Sequence, residues 1–428
     1  MPVTTGQELE VLVEKPASGG RMIARHGGEV LLIAGAIPGE RVVARVTRAE
    51  KRVAFATTLR VLDPSADRRE APGDPACGGC VYSFIEYPRQ LALKSEIIRD
   101  AFLRIGQLPL DVPVEVAGAG ERSYRMRARF HVRDGRAGFY REGSHELCDA
   151  RQTGQLLEAA MDAVEAAVAS LSAQGYGVVS VELSENIAAD QRALHLDVRD
   201  RSPSEDALNR AISAARISGC TMRMTDTNSY SAGDPIVSDP LDTLTGGRAT
   251  EGTLRRHPEA FFQANRFLLP SLVGTVLDNV HEGSVVDLYA GVGLFSVALA
   301  ALGRQEITAV EGDPVGSRDL LRNAAPYPDQ LRVHRSSVEA YLARSGPAPG
   351  TLIVDPPRTG MSKEATDAIA RAGARRIVYV SCDAPTMARD ARRLLDAGYR
   401  LVHVRGFDLF PNTPHVETVA VFEGGVKI

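Results

Sequence analysis

From about residue 251 to the end of the chain, short apolar runs at 284–288, 294–302, 306–310, 352–354 and 377–380 recur among helical patterns, and this recurrence constrains the fold most. Short apolar strands that alternate with helices form a parallel sheet covered on both faces, with every strand's carboxyl end on one edge. The expectation is an α/β, doubly wound architecture whose ligand chemistry lies in the turns at that edge.

Those turns carry distinctive residues. The first runs Val285-Val286-Asp287-Leu288-Tyr289-Ala290-Gly291-Val292-Gly293-Leu294-Phe295. Its glycines, Gly291 among them, let the backbone approach a nucleotide-like ligand, although the same turn also serves tight strand–helix packing. The third glycine of a dinucleotide fingerprint is missing and no basic side chain stands nearby for a pyrophosphate, so a methyl-donor cofactor fits better. The next strand ends in Val310-Glu311-Gly312-Asp313, which places Glu311 where ribose hydroxyls would be bound. A third ends in Asp355-Pro356-Pro357-Arg358-Thr359-Gly360, the prolines holding Asp355 rigidly at the edge. An aromatic after the prolines would suggest methylation of a base amino group, but Arg358 follows. The fourth ends in Ser381-Cys382-Asp383, a thiol at a helix N-terminus that favours the thiolate. A buried structural cysteine is the other reading of Cys382. Glu417 opens the last strand after a proline-rich loop, as a general base or as a plain surface glutamate.

Upstream, residues 1–62 alternate apolar and polar positions between Gly- and Pro-containing turns, as in a small antiparallel barrel. The whole chain has 50 Lys+Arg against 54 Asp+Glu and a net charge of -4, so any basic surface must be local. Residues 63–75 read as a linker and 87–105 as an amphipathic helix. Residues 122–141 carry seven arginines, including Arg122, Arg125, Arg127 and Arg129, interleaved with aromatics such as Phe130, in two strands joined at Asp134-Gly135. Guanidinium groups beside stacking rings suit single-stranded nucleic acid, and the same pattern also suits a solvated hairpin face. The expected boundaries are 1–62, 63–250 and 251–428.

Together, D-L-Y-A-G-V-G, V-E-G-D, D-P-P-R-T-G, V-S-C-D and F-P-N-T-P-H-V-E-T, in that order, resemble the RNA uridine C5-methyltransferase family, as does Phe261-Phe262-Gln263-Ala264-Asn265. The resemblance covers the whole chain. It implies a C-terminal Rossmann-like methyltransferase domain that uses S-adenosylmethionine, an N-terminal TRAM (oligonucleotide-binding-like) barrel and a central α+β RNA-binding domain. It makes Cys382 the nucleophile that adds to carbon 6 of uracil and Glu417 the base that removes the carbon 5 proton. Gln263, Tyr289, Glu311 and Asp355 would hold the cofactor. Ribosomal RNA is favoured as substrate, with transfer RNA as the alternative. Arg358 would steady the enolate oxygen or a phosphate.

Several members of that family hold an iron–sulfur cluster on a Cys-x5-Cys-x2-Cys run and a later cysteine. Here Cys77 and Cys80 match the last two of the run, Ala71 stands in place of the first, and Thr153 in place of the fourth, with Cys148 five residues early. The expectation is no cluster and no other metal. Five cysteines are too few for a disulfide framework, so each is read as a core thiol, a ligand or a nucleophile. No secretory start and no apolar stretch of roughly 20 residues is present, which gives a cytoplasmic, non-membrane monomer as the expectation. Two rival readings remain: a base amino-group methyltransferase, which leaves Cys382 and Glu417 without roles, and a non-catalytic RNA-binding protein on the same fold.

Overall fold

The computed structural model describes residues 3–199, 201–224, 229–344 and 348–424. Strands Glu8–Pro16, Met22–His26, Glu29–Ala34, Arg41–Ala49 and Val53–Asp63 close into a barrel, the third pairing in parallel with the fifth. Leu9, Val11 and Val13 point into it while Glu8, Glu10 and Leu12 face out, the period of two that a strand imposes. Residues 63–75 are fastened down: Arg68 donates Nε and Nη2 to the two oxygens of buried Glu40, each at 2.7 Å.

The central sheet has seven strands in the order Tyr230–Gly233, Gly219–Met224, Arg192–Arg199, Gly177–Glu185, Arg127–Arg133, Arg136–Tyr140 and Leu147–Cys148. Helices Glu158–Ala173 and Glu205–Ala215 share a core with one of its faces. Ala128, Phe130 and Val132 belong to that core, so the side chains of Arg127, Arg129, His131 and Arg133 stand on the opposite face. This corrects the expectation for Phe130: it is fully buried, stacked on Phe139 with centroids 5.2 Å apart, and offers no surface to RNA.

The C-terminal sheet has eight strands, in the order Leu331–Arg335, Ile307–Glu311, Val285–Leu288, Thr351–Val354, Arg376–Ser381, Glu417–Gly424, Tyr399–Phe407 and Val116–Ala117. The first five run parallel, and Glu417–Gly424 runs against its neighbours. Val285, Ile353 and Val378 enter the core on one face, and Val286, Leu352 and Ile377 the core on the other. Burial on both faces explains why these strands read as continuous apolar runs.

Two segments expected in the central unit belong here instead. Helix Tyr87–Arg104 sets Ile97, Ile98, Ala101 and Phe102 into the same core as Val286, Leu352 and helix Ala384–Asp396, and Val116–Ala117 extends the sheet edge. The helix's apolar stripe needs a partner surface, and the sheet offers the larger one. Cys77 and Cys148 form a disulfide, contrary to their reading as thiols, because the pairing of Cys77 with Arg141 and of Cys148 with Phe139 brings the two together.

Candidate active site

Beyond Leu288 the backbone turns through Tyr289, Gly291 and Gly293 at φ 61°, 57° and 95°. A Cβ at Gly293 would sit 2.7 Å from Leu320 and Val297, so glycine is required there for packing. A Cβ at Gly291 would meet nothing within 4 Å, so its side of the turn is open. The Gly291 N–H donates to Glu311 Oε2 and the Asp313 N–H to Oε1, both at 2.6 Å. The carboxylate thus braces two turns and still has lone pairs free for ligand hydroxyls.

Gln263, Tyr289, Gly291, Glu311, Asp355, Cys382 and Glu417 all line one cavity of about 1120 Å³. Strand pairing sets Ser381 opposite Thr418, which brings Cys382 and Glu417 side by side at the sheet edge. Asp355 ends the parallel strand beside them.

The three acidic groups act on one another. Burial, followed by repulsion from Asp287, pushes the Asp355 carboxyl up to about 7, while a hydrogen bond with Gln263 pulls it down. Burial and then Asp355 hold the Glu417 carboxyl well above its ordinary range. The Cys382 thiol is pushed up to about 12, first by burial and then by Glu417 and Asp355, with Arg358 opposing. Desolvation and the neighbouring acids Glu417, Asp355 and Asp383 thus act against the thiolate that a helix N-terminus favours. The cavity is short of positive charge at the reacting centre, which suits a cationic ligand. The open turn at Gly291 and the Glu311 carboxylate suit a nucleoside, so Gln263, Tyr289, Gly291, Glu311 and Asp355 fit a nucleoside-bearing sulfonium cofactor.

The loop preceding Glu417 is held from behind by helix Tyr87–Arg104. Lys94 and Asp408, both fully buried, form an ion pair, and Lys94 Nζ also donates to Phe410 O at 3.0 Å. Gln90 accepts the Asn412 N–H at 2.8 Å and donates to Asn412 Oδ1 at 2.9 Å. Asn265 donates to Leu409 O at 3.2 Å. At the cavity wall the Arg358 Nη2 lies 3.3 Å from His415 Nε2. Burial, then Arg358 and Lys94, push His415 down to about 4, which leaves it neutral as a neighbour for the guanidinium.

Of the arginines expected to meet RNA, Arg122 and Arg129 are exposed and do not line the cavity. Arg125 and Arg127 do line it. Arg125 donates to Gln155 Oε1 at 2.7 Å, and Arg127 to Glu182 Oε2 at 3.0 Å and Ala260 O at 3.1 Å. Sequence reasoning missed Lys94, Gln90 and His415. It also gave no role to Phe261, which is 64% exposed at the cavity wall with Arg127 over its ring. Gln90 and Lys94 share a helical face with the apolar Ile97 and Ala101, a signal that was present in the sequence.

An iron–sulfur cluster does not fit the residues present. The disulfide takes Cys77 and Cys148, leaving Cys80 as the one thiol of the three, and no group of three or more His, Cys, Asp or Glu among the described residues could hold a metal.

Residues 2–59 match the TRAM domain model and residues 347–424 the tRNA (Uracil-5-)-methyltransferase model. The chain is 35% identical to an RNA methyltransferase of Streptomyces coelicolor, covering 99% of this chain and 94% of the relative. It is 32% identical to the 23S rRNA (uracil(1939)-C(5))-methyltransferase of Pseudomonas entomophila, covering 99% and 95%. Among solved structures, the Pyrococcus abyssi tRNA (uracil-54, C5)-methyltransferase in complex with S-adenosyl-L-homocysteine superposes with a TM-score of 0.76 at 21% identity, covering 96% of this chain and 99% of that one. At that identity the likeness speaks for the fold.

Proposed function

Given that this chain belongs to the RNA uracil C5-methyltransferase family, we propose that it methylates carbon 5 of a uridine in ribosomal RNA, with Cys382 as nucleophile and Glu417 as base. One observation carries the assignment of roles: Cys382 and Asp355 follow the ends of adjoining strands, Glu417 opens the strand paired with that of Cys382, and all three line one cavity with Gln263, Tyr289 and Glu311. S-adenosylmethionine bound by Gln263, Tyr289, Gly291, Glu311 and Asp355 supplies an electrophilic methyl group on a sulfonium cation.

Carbon 5 of uracil is a poor nucleophile. The Cys382 thiol first gives up its proton to solvent; addition of the thiolate to carbon 6 then forms an S–C bond and moves the electron pair onto the C5–C4–O4 enolate, which makes carbon 5 reactive toward the methyl group. Arg358, opposite Cys382, is placed to oppose the negative charge that develops there. Once carbon 5 is methylated, Glu417 takes its proton, the C5–C6 double bond re-forms and the sulfur leaves. The uridine must be flipped out of any stack to reach the sulfur. An RNA substrate of this class supports the cytoplasm as its workplace. Among the described residues no helix is long and apolar enough to cross a membrane.

The test is transfer of label from S-adenosylmethionine to total RNA lacking the modification, followed by nucleoside analysis, beside Cys382→Ala. Labelled 5-methyluridine in ribosomal RNA from wild type and none from the variant is the expected outcome. Label in transfer RNA alone overturns the choice of substrate, and an active Cys382→Ala overturns the mechanism.

A further inference from the structure

A second concavity of about 490 Å³ adjoins the catalytic cavity, and Glu259 lines both. Three arginines converge on it. Arg255 comes from strand Thr253–Arg256, and Arg318 and Arg322 stand one turn apart on helix Pro314–Ala324. Arg322 reaches Asp319 at 3.3 Å. Arg255 and Arg318 have no ion-pair partner among the described residues. The groove's own acids are already engaged. Glu259 Oε1 accepts Arg223 Nη1 at 2.7 Å, and Asp319 accepts the His257 N–H at 2.7 Å as well as Arg322. Hydrogen bonds link the residues behind the groove. His195 Nδ1 lies 2.7 Å from Thr221 Oγ1, which in turn lies 3.4 Å from His257 Nε2. Burial and the nearby arginines hold His257 neutral, so the positive charge of the groove is that of the arginines. Exposed Ser229 and Ser231 add hydroxyls on its far side.

We infer that this groove holds the phosphodiester backbone of the substrate strand next to the flipped uridine, with Arg255 and Arg318 as the phosphate contacts. The inference rests on the RNA reading above. Two unpaired guanidinium groups in a concave site that shares Glu259 with the catalytic cavity match the charge of a single strand leaving that cavity. A flipped nucleotide stays covalently joined to its neighbours, so the strand must leave the cavity somewhere, and this groove is contiguous with it. The charge pattern selects a polyanion over a neutral ligand.

The test measures binding of a fluorescein-labelled, 15-nucleotide single-stranded RNA with one central uridine, by anisotropy across a salt series. Wild type is compared with Arg255→Glu, Arg318→Glu and a matched reversal on a distant helix, Arg371→Glu. Each groove reversal is expected to weaken binding about tenfold and to flatten the salt dependence by about one phosphate contact, with Arg371→Glu close to wild type. Unchanged binding of S-adenosylmethionine and an unchanged circular dichroism spectrum show that the variants fold. Groove variants that track Arg371→Glu while wild type binds with a steep salt response overturn the groove and leave the RNA reading standing. A weak, salt-independent response from wild type itself overturns both.

Discussion

Behind the catalytic cavity three buried charges have their opposites: Lys94 meets Asp408, Arg256 meets Asp239 and Arg266 meets Glu185. Inside it, Asp355 raises the proton affinity of Glu417, both raise that of Cys382, and Arg358 is the cation acting on the thiol. Both arrangements are costly in a low-dielectric interior, and they are relieved differently. The pairs are relieved by folding and therefore fix positions. The acids have no such partner, and burial beside them raises the proton affinity of the Cys382 thiol.

The comparison can be broken most severely at the acids. Cys382→Ala should reduce methyl transfer by roughly 10⁴-fold or more, while S-adenosylmethionine binding, measured by calorimetry, survives. Glu417→Gln should stall the reaction after methylation, so that protein crosslinked to RNA accumulates on denaturing gels; fast turnover without an adduct would remove Glu417 from the role of base.

Breaking a pair should cost stability first. Lys94→Met leaves Asp408 buried without its partner and should lower unfolding free energy by about 3–5 kcal/mol in denaturant titration. Adding Asp408→Leu should recover part of that loss. A single variant as stable as wild type would mean that the pair does not anchor the loop.

The unpaired acids should also show in pH dependence. Burial pushes Asp287 up to about 7, so the folded protein keeps a proton that the unfolded chain loses near pH 4. The native state then binds more protons across that window, and stability falls as pH rises from about 4 to 7. Asp287→Asn should remove roughly 2–4 kcal/mol of that fall in cofactor-free protein, read as the difference between the two melting curves. The thiol should show in the pH dependence of rate. Because only the Cys382 thiolate attacks, single-turnover transfer should climb between about pH 6 and 9 without a plateau near 7. A flat profile would mean that substrate binding has already removed the proton.

Much of the sheet edge was legible because each motif is local. An apolar strand, a glycine turn and a carboxylate on the next strand are set by neighbours in sequence, and Gly291, Glu311, Asp355, Cys382 and Glu417 all line one cavity. The hairpin at 122–141 was legible as a hairpin, yet Phe130 was assigned to the wrong face. Alternation says that residues 128, 130 and 132 share a side, but only the two helices packed on that side decide which one is inside. The surroundings of Cys382 were not legible for a related reason. A helix N-terminus is visible in sequence, whereas burial beside Glu417 comes from a strand 35 positions further on, that is 417 minus 382.

By itself the sequence determined the α/β sheet, the order of its edge motifs and the chemistry they carry, because strand periodicity and turn composition are short-range properties of the chain. Only the tertiary structure decided what surrounds those residues. Helix Tyr87–Arg104 reaches about 314 positions along the chain to clamp the loop before Glu417, and Cys77 finds Cys148 across 71. Arg255 and Arg318 meet in one groove from separate elements. Desolvation and charge pairing depend on distance in space, and a linear pattern does not contain that distance until the chain has folded.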